Sequence, residues 1–144
     1  MKKVLLSLIM CACVSVSYAQ KAKKFNAKAA AKVFCACTTE FASGLHPTVV
    51  TMMHEMATKG EKVAEENFKN ALIAMPEPER NKVMASVEKD IEEKGKKFNV
   101  CIDGLKAKYG DLDEKQRKKM IAKLDKMKGC ELADEFAHMM DKKK

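Results

Sequence analysis

The stretch that decides the fold is residues 78–110, PERNKVMASVEKDIEEKGKKFNVCIDGLKAKYG. Met84, Val87, Ile91, Phe98, Cys101 and Leu105 fall on one alternating three-and-four spacing, with Lys94 in the one seam position that is not apolar. Side chains at that spacing line one face of an α-helix, whereas a strand repeats every second residue. The register passes Gly95 without a phase shift, so the spacing predicts one long helix from Pro78 to about Tyr109. At 1.5 Å per residue it is roughly 48 Å long. An interior glycine costs about 1 kcal/mol, so a kink can form at Gly95. Pro78 suits a first helical turn, and Gly110 suits the residue just past an end.

The flanking segments read the same way. On the N-terminal side, Asn26 to Ser43 carries Ala30, Phe34, Cys37 and Phe41 on one face and stops at Gly44. Pro47 opens a second helix with Val49, Met53, Met56 and Ala57, which closes at Gly60. A third, about Glu61 to Met75, carries Ala64, Phe68, Ala71, Leu72 and Met75 before Pro76-Glu77-Pro78 breaks it. On the C-terminal side, Asp113 and Gln116 have the spacing of a capping box. The helix they open buries Met120, Ile121, Leu124 and Met127 and is expected to stop at Gly129. A last helix runs from Glu131 to about Asp141, with Leu132, Phe136, Met139 and Met140 apolar. No strand-like alternation and no internal repeat is evident. The expected fold class is an all-α bundle of about five to six helices, including the long one at about 78–109.

Composition agrees. Only six Gly and three Pro in 144 residues speak against a turn-rich β fold, and 47% apolar residues exclude disorder. The first residues have a separate purpose. Lys2 and Lys3 precede a mostly apolar stretch, Val4 to Val16, and Ser17-Tyr18-Ala19 places small residues at a cleavage site before Gln20. That is the pattern of a secretory signal peptide, too short and wrongly flanked for a membrane anchor. Residues 1–19 are expected to be removed, leaving residues 20–144 as a single soluble helical domain, periplasmic or secreted. Removal takes two Lys and lowers the net charge from +8 to +6.

It also takes Cys11 and Cys13, leaving Cys35, Cys37, Cys101 and Cys130. Four cysteines in an oxidising compartment read as a structural disulfide framework. Cys35 and Cys37 are two positions apart on a helix and diverge by about 200°, which suits two different partners and not each other. Either 37–101 with 35–130, or the exchanged pairing, staples the first helix to the long helix and the C-terminal region. A reactive CxC dithiol is the competing reading. Such sites usually sit at a helix N-terminus, where the dipole lowers the thiol pKa, whereas this pair lies about ten residues inside a helix. The spacing is also wrong for the paired CxxC-like knuckles of a structural zinc site.

Met52-Met53-His54-Glu55-Met56 and His138-Met139-Met140 form a second constellation. Thioether and imidazole donors suit Cu(I), and the candidate ligands standing off the apolar stripes are Met52, His54 and His138. The remaining methionines are adaptable core fillers. Only Arg80 and Arg117 are arginine, aromatics are few, and so no nucleic-acid partner is expected. No catalytic motif is present: no GxSxG, no HExxH and no glycine-rich phosphate loop, so no catalytic residue and no cofactor are assigned.

Phe98-Asn-Val-Cys101-Ile-Asp-Gly-Leu105 and Lys128-Gly-Cys130-Glu-Leu-Ala133, with the CxC of the first helix, give the chain a resemblance. It is similar to small, largely uncharacterised exported helical proteins of Gram-negative bacteria with a CxC…C…C framework. That resemblance implies a fold and no particular activity. Leu112-Asp-Glu-Lys-Gln116 more weakly resembles the LTxxQ motif of periplasmic helical chaperones, matching at Leu and Gln and lacking the Thr. The sequence therefore leads to an exported, non-enzymatic, disulfide-stapled binding module that holds or inhibits another envelope protein, chaperone-like or immunity-like. A protein partner is expected, stable membrane insertion is not, and the heptad-like seam is compatible with a dimer. Periplasmic copper binding is the alternative, and thiol–disulfide oxidoreductase activity the third.

Overall fold

A computed structural model describes residues 24–142. Residues 1–19, expected to be a signal peptide, lie outside the described residues. The described chain is helical, with no strand: α1 Ala27–Ala42, α2 Pro47–Lys59, α3 Glu61–Ala74, α4 Glu77–Ala85, a π-turn Ser86–Asp90, α5 Ile91–Tyr109, α6 Glu114–Leu124 and α7 Glu131–Lys142. α4, the π-turn and α5 run on without a break, so the long helix expected from residues 78–109 is present. Counting it as one, the bundle has six helices.

The boundaries follow from local chemistry. The Asn26 side chain accepts from the Ala29 amide at 3.0 Å, closing the start of α1. His46 caps α2 ahead of Pro47, its Nδ1 accepting from the Thr48 amide at 3.3 Å. α6 opens with the full capping box: Asp113 Oδ1 accepts from the Gln116 amide at 2.7 Å, and Gln116 Oε1 accepts from the Asp113 amide at 3.0 Å. Gly44, at φ +75°, turns the chain out of α1 in the left-handed region that an L side chain resists. α6 stops at Leu124, short of the expected Gly129. Lys126 and Met127 instead turn back on Lys123 and Leu124 through tight amide bonds of 3.3 and 2.8 Å. These satisfy the last carbonyls of the helix and leave Met127 packed against the core.

α1 is the axis of the molecule, packed against α5, α6 and α7. One core cluster gathers Ala30, Phe34, Leu105, Ile121, Leu124 and Ala133 around it. Phe98 of α5 meets two rings of α1, Phe34 at 6.4 Å and Phe41 at 5.5 Å between centroids. A second cluster, built on Leu45, Val49, Met53 and Val83, lies under the α2–α3 hairpin, and Phe136 of α7 touches both.

The long helix departs from its simple register at one place. Met84 was expected on the seam, yet Met84 is 39% exposed and Val83 is fully buried. The π-turn explains the exchange: it accommodates one extra residue, so the buried face N-terminal to it falls one position earlier. The irregularity sits at Ser86–Asp90, and Gly95 lies inside the regular helix α5. The π-turn turns Ser86 inward, where its hydroxyl accepts from the His46 amide at 3.2 Å. Lys94, the polar member of the seam, has its own partner: its ammonium donates to the Ser43 carbonyl at the C-terminal end of α1.

Candidate functional site

Both disulfides are formed, as Cys35–Cys130 and Cys37–Cys101, with Cα separations of 5.3 and 5.9 Å. The two cysteines of the CxC are thus not bonded to each other. Each is tied to a distant part of the chain, and none of the four sulfurs is left as a thiol to act as a nucleophile or soft metal ligand.

The staples hold α1 against the walls of an apolar cleft of about 580 Å³. Phe34, Ile102, Leu105, Leu112, Ile121 and Met140 are among its lining residues, contributed by α1, α5, the α5–α6 turn, α6 and α7. Met140, expected on a buried stripe, is 46% exposed at this cleft. Lys106, Asp111 and Arg117 supply its charges. Arg117 is fixed in place: its Nη1 donates to the Leu112 carbonyl at 2.9 Å and its Nε to Asp141 at 3.3 Å, linking α6 to α7. The other arginine, Arg80, likewise serves its own backbone, donating to the carbonyls of Leu72 at 2.9 Å and Met75 at 3.1 Å.

The metal candidates expected from sequence occupy three different environments. Met52 is half-buried and packs against the second core cluster. His54, exposed on α2, places Nδ1 2.7 Å from Glu135 Oε2 of α7. His138, one turn further along α7, places Nε2 3.4 Å from Asp125 Oδ1 and 3.6 Å from Asp134 Oδ1. Among the described residues, Asp125, Asp134 and His138 form the one group of three side chains of ligating type whose donor atoms lie within 4.8 Å of one another. Burial pushes the Asp134 carboxyl up from its ordinary range, and the adjacent Asp125 carboxyl pushes it further, while His138 opposes both. Sequence reasoning passed over both aspartates because acidic residues are common in this chain. The four-residue interval from Asp134 to His138, which puts both on one helix face, was the available signal.

No family model, curated protein or solved structure matches the chain, so its role is argued from its own geometry. No helix of the described residues is long and apolar enough to cross a membrane. Two disulfides fit an oxidising compartment outside the cytoplasm.

Proposed function

We propose that the protein is an exported, non-enzymatic binding module that takes up an apolar segment of a partner protein, flanked by acidic residues, in the cleft lined by Met140. The observation that carries this reading is the cleft itself. It has apolar walls from four helices, open to solvent, at a place where closer packing of α5, α6 and α7 would otherwise bury Ile102 and Met140. Disulfides anchor α1 to α5 and to the start of α7, which favours a preformed groove over one that must be ordered on binding. The choice of an acidic flank follows from Lys106 beside the cleft and from the positive charge of the chain, +8 as written and +6 without the leader. The disulfide connectivity favours a structural role for the cysteines over a redox one, since a CxC couple works by bonding its own two sulfurs.

The test uses two fluorescent amphipathic peptides that share one leucine-rich helical face, one flanked by glutamates and the other by lysines. Anisotropy is expected to show tighter binding of the glutamate-flanked peptide, weakening with salt, and loss of binding in Met140→Glu. Absence of binding by either peptide, or binding untouched by Met140→Glu, rules the reading out.

A further inference from the structure

We propose that Asp125, Asp134 and His138 form a zinc site that clasps the end of α6 to α7. The donors come from two elements. Asp125 is the C-cap residue of α6, and Asp134 and His138 stand one turn apart on the same face of α7. The imidazole nitrogen lies 3.4 Å from one carboxylate oxygen and 3.6 Å from the other. Ligands at about 2.0–2.2 Å from a tetrahedral ion stand about 3.3 Å from each other, so the two edges that run from the imidazole are already close to those of such a site, and all three donor atoms lie within 4.8 Å of one another.

Two independent features point to a cation at the centre. Asp134 Oδ1 is buried and accepts no hydrogen bond, its contact with the His138 imidazole, at 3.6 Å, being longer than one. An Asp125 carboxylate oxygen also lies within 4.8 Å of it, and two like charges that close repel unless a cation lies between them. An ion held by all three side chains would satisfy the orphaned oxygen and relieve the repulsion together.

The chemistry of the donors selects the metal. One imidazole with two carboxylates suits zinc, whereas Mg²⁺ and Ca²⁺ take oxygen ligands in larger numbers, and Cu(I) prefers thioethers and thiolates. Three protein ligands leave a fourth position for water. An open recess of about 480 Å³, lined by Asp125, Asp134 and Glu135 among others, gives an ion a path to it. This site is separate from the apolar cleft and does not depend on the partner reading.

The test is titration calorimetry of the untagged, disulfide-intact, chelator-washed protein with ZnCl₂, with thermal unfolding in parallel. One zinc per chain and a rise in melting temperature are expected. His138→Ala and Asp125→Asn are expected to weaken binding by at least about tenfold, the loss that even indirect disturbance of a ligand produces. His54→Ala, on α2 beside Glu135, leaves the affinity unchanged. Replacement by Co²⁺ should give the visible absorption of a four-coordinate ion. No heat and no thermal shift at micromolar zinc overturns the proposal, as does unchanged affinity in both His138→Ala and Asp125→Asn.

Discussion

Cys35 and Cys37 sit two residues apart on α1 and are bonded to different walls of the bundle, Cys130 at the entrance to α7 and Cys101 within α5. Divergence by about 200° along the helix is what lets one turn serve two partners. Removing either bond should therefore loosen a different contact, α1 with α7 or α1 with α5. The sequence separations are 95 and 64 residues, and on the chain-entropy account each closure stabilises by about 4–5 kcal/mol. Cys35→Ala with Cys130→Ala, and Cys37→Ala with Cys101→Ala, are expected to lower urea stability by similar amounts, up to that size. Loss of both is expected to leave no cooperative transition at 37 °C.

The π-turn makes neighbouring residues unequal. Val83 is fully buried and Met84 is 39% exposed, so Val83→Ala should cost about 1–3 kcal/mol. Met84→Ala should change stability by less than about 0.5 kcal/mol. A regular helix through this segment predicts the opposite ranking, and denaturant melts of the two variants distinguish them.

Lys94 provides a sharper contrast. Simple seam logic would expect Lys94→Met to stabilise the chain by completing an apolar stripe. Its ammonium instead donates to the Ser43 carbonyl at the end of α1, where a cation also complements the helix dipole. Lys94→Met is expected to destabilise by about 1 kcal/mol, and a gain in urea midpoint would contradict that role.

Glu55 sets a pH dependence. Its carboxylate accepts from Lys59 at 2.7 Å and from the Asn67 amide at 2.9 and 3.0 Å, joining α2 to α3. The Lys59 and Asn67 hydrogen bonds hold its carboxyl below the usual glutamate value. A depressed folded-state pKa stabilises above the unfolded value near 4.5, and that contribution is lost as pH falls through the folded value. Glu55→Gln is expected to melt at lower temperature than the parent at pH 7, with the difference vanishing at acid pH below the folded value.

What the sequence made legible was punctuation and periodicity. Pro47, Gly60, Pro76 and Gly110 bracket helices within a residue or two of the observed ends, because proline and glycine act through local backbone geometry alone. The capping box at Asp113 and Gln116 was readable for the same reason. Features that depend on three-dimensional neighbours were not. Cys101 and Cys130 are both reachable from α1, so spacing left the pairing open. Val83 and Met84 are adjacent and both apolar, so composition could not reveal an inserted residue in the turn that follows. Of the ligand candidates, His138 was visible as a histidine near the C-terminus. Its aspartate neighbours acquire meaning only when α6 ends at Leu124 and brings Asp125 up against α7. Ile102 of the cleft lies off the heptad seam, and Leu112 lies in a turn, so neither belonged to a pattern.

The two disulfide loops are nested, with the segment closed by Cys37 and Cys101 lying inside the one closed by Cys35 and Cys130. A single proteolytic cut anywhere between Cys35 and Cys130 therefore leaves one covalent molecule. Two cuts, one between Cys37 and Cys101 and the other between Cys101 and Cys130, still leave three pieces joined. Two cuts within one stretch between consecutive cysteines do release a fragment. Nicking of the exposed turns around Gly60 or Gly110 would leave the mass seen on a non-reducing gel intact, and fragments would separate only after reduction.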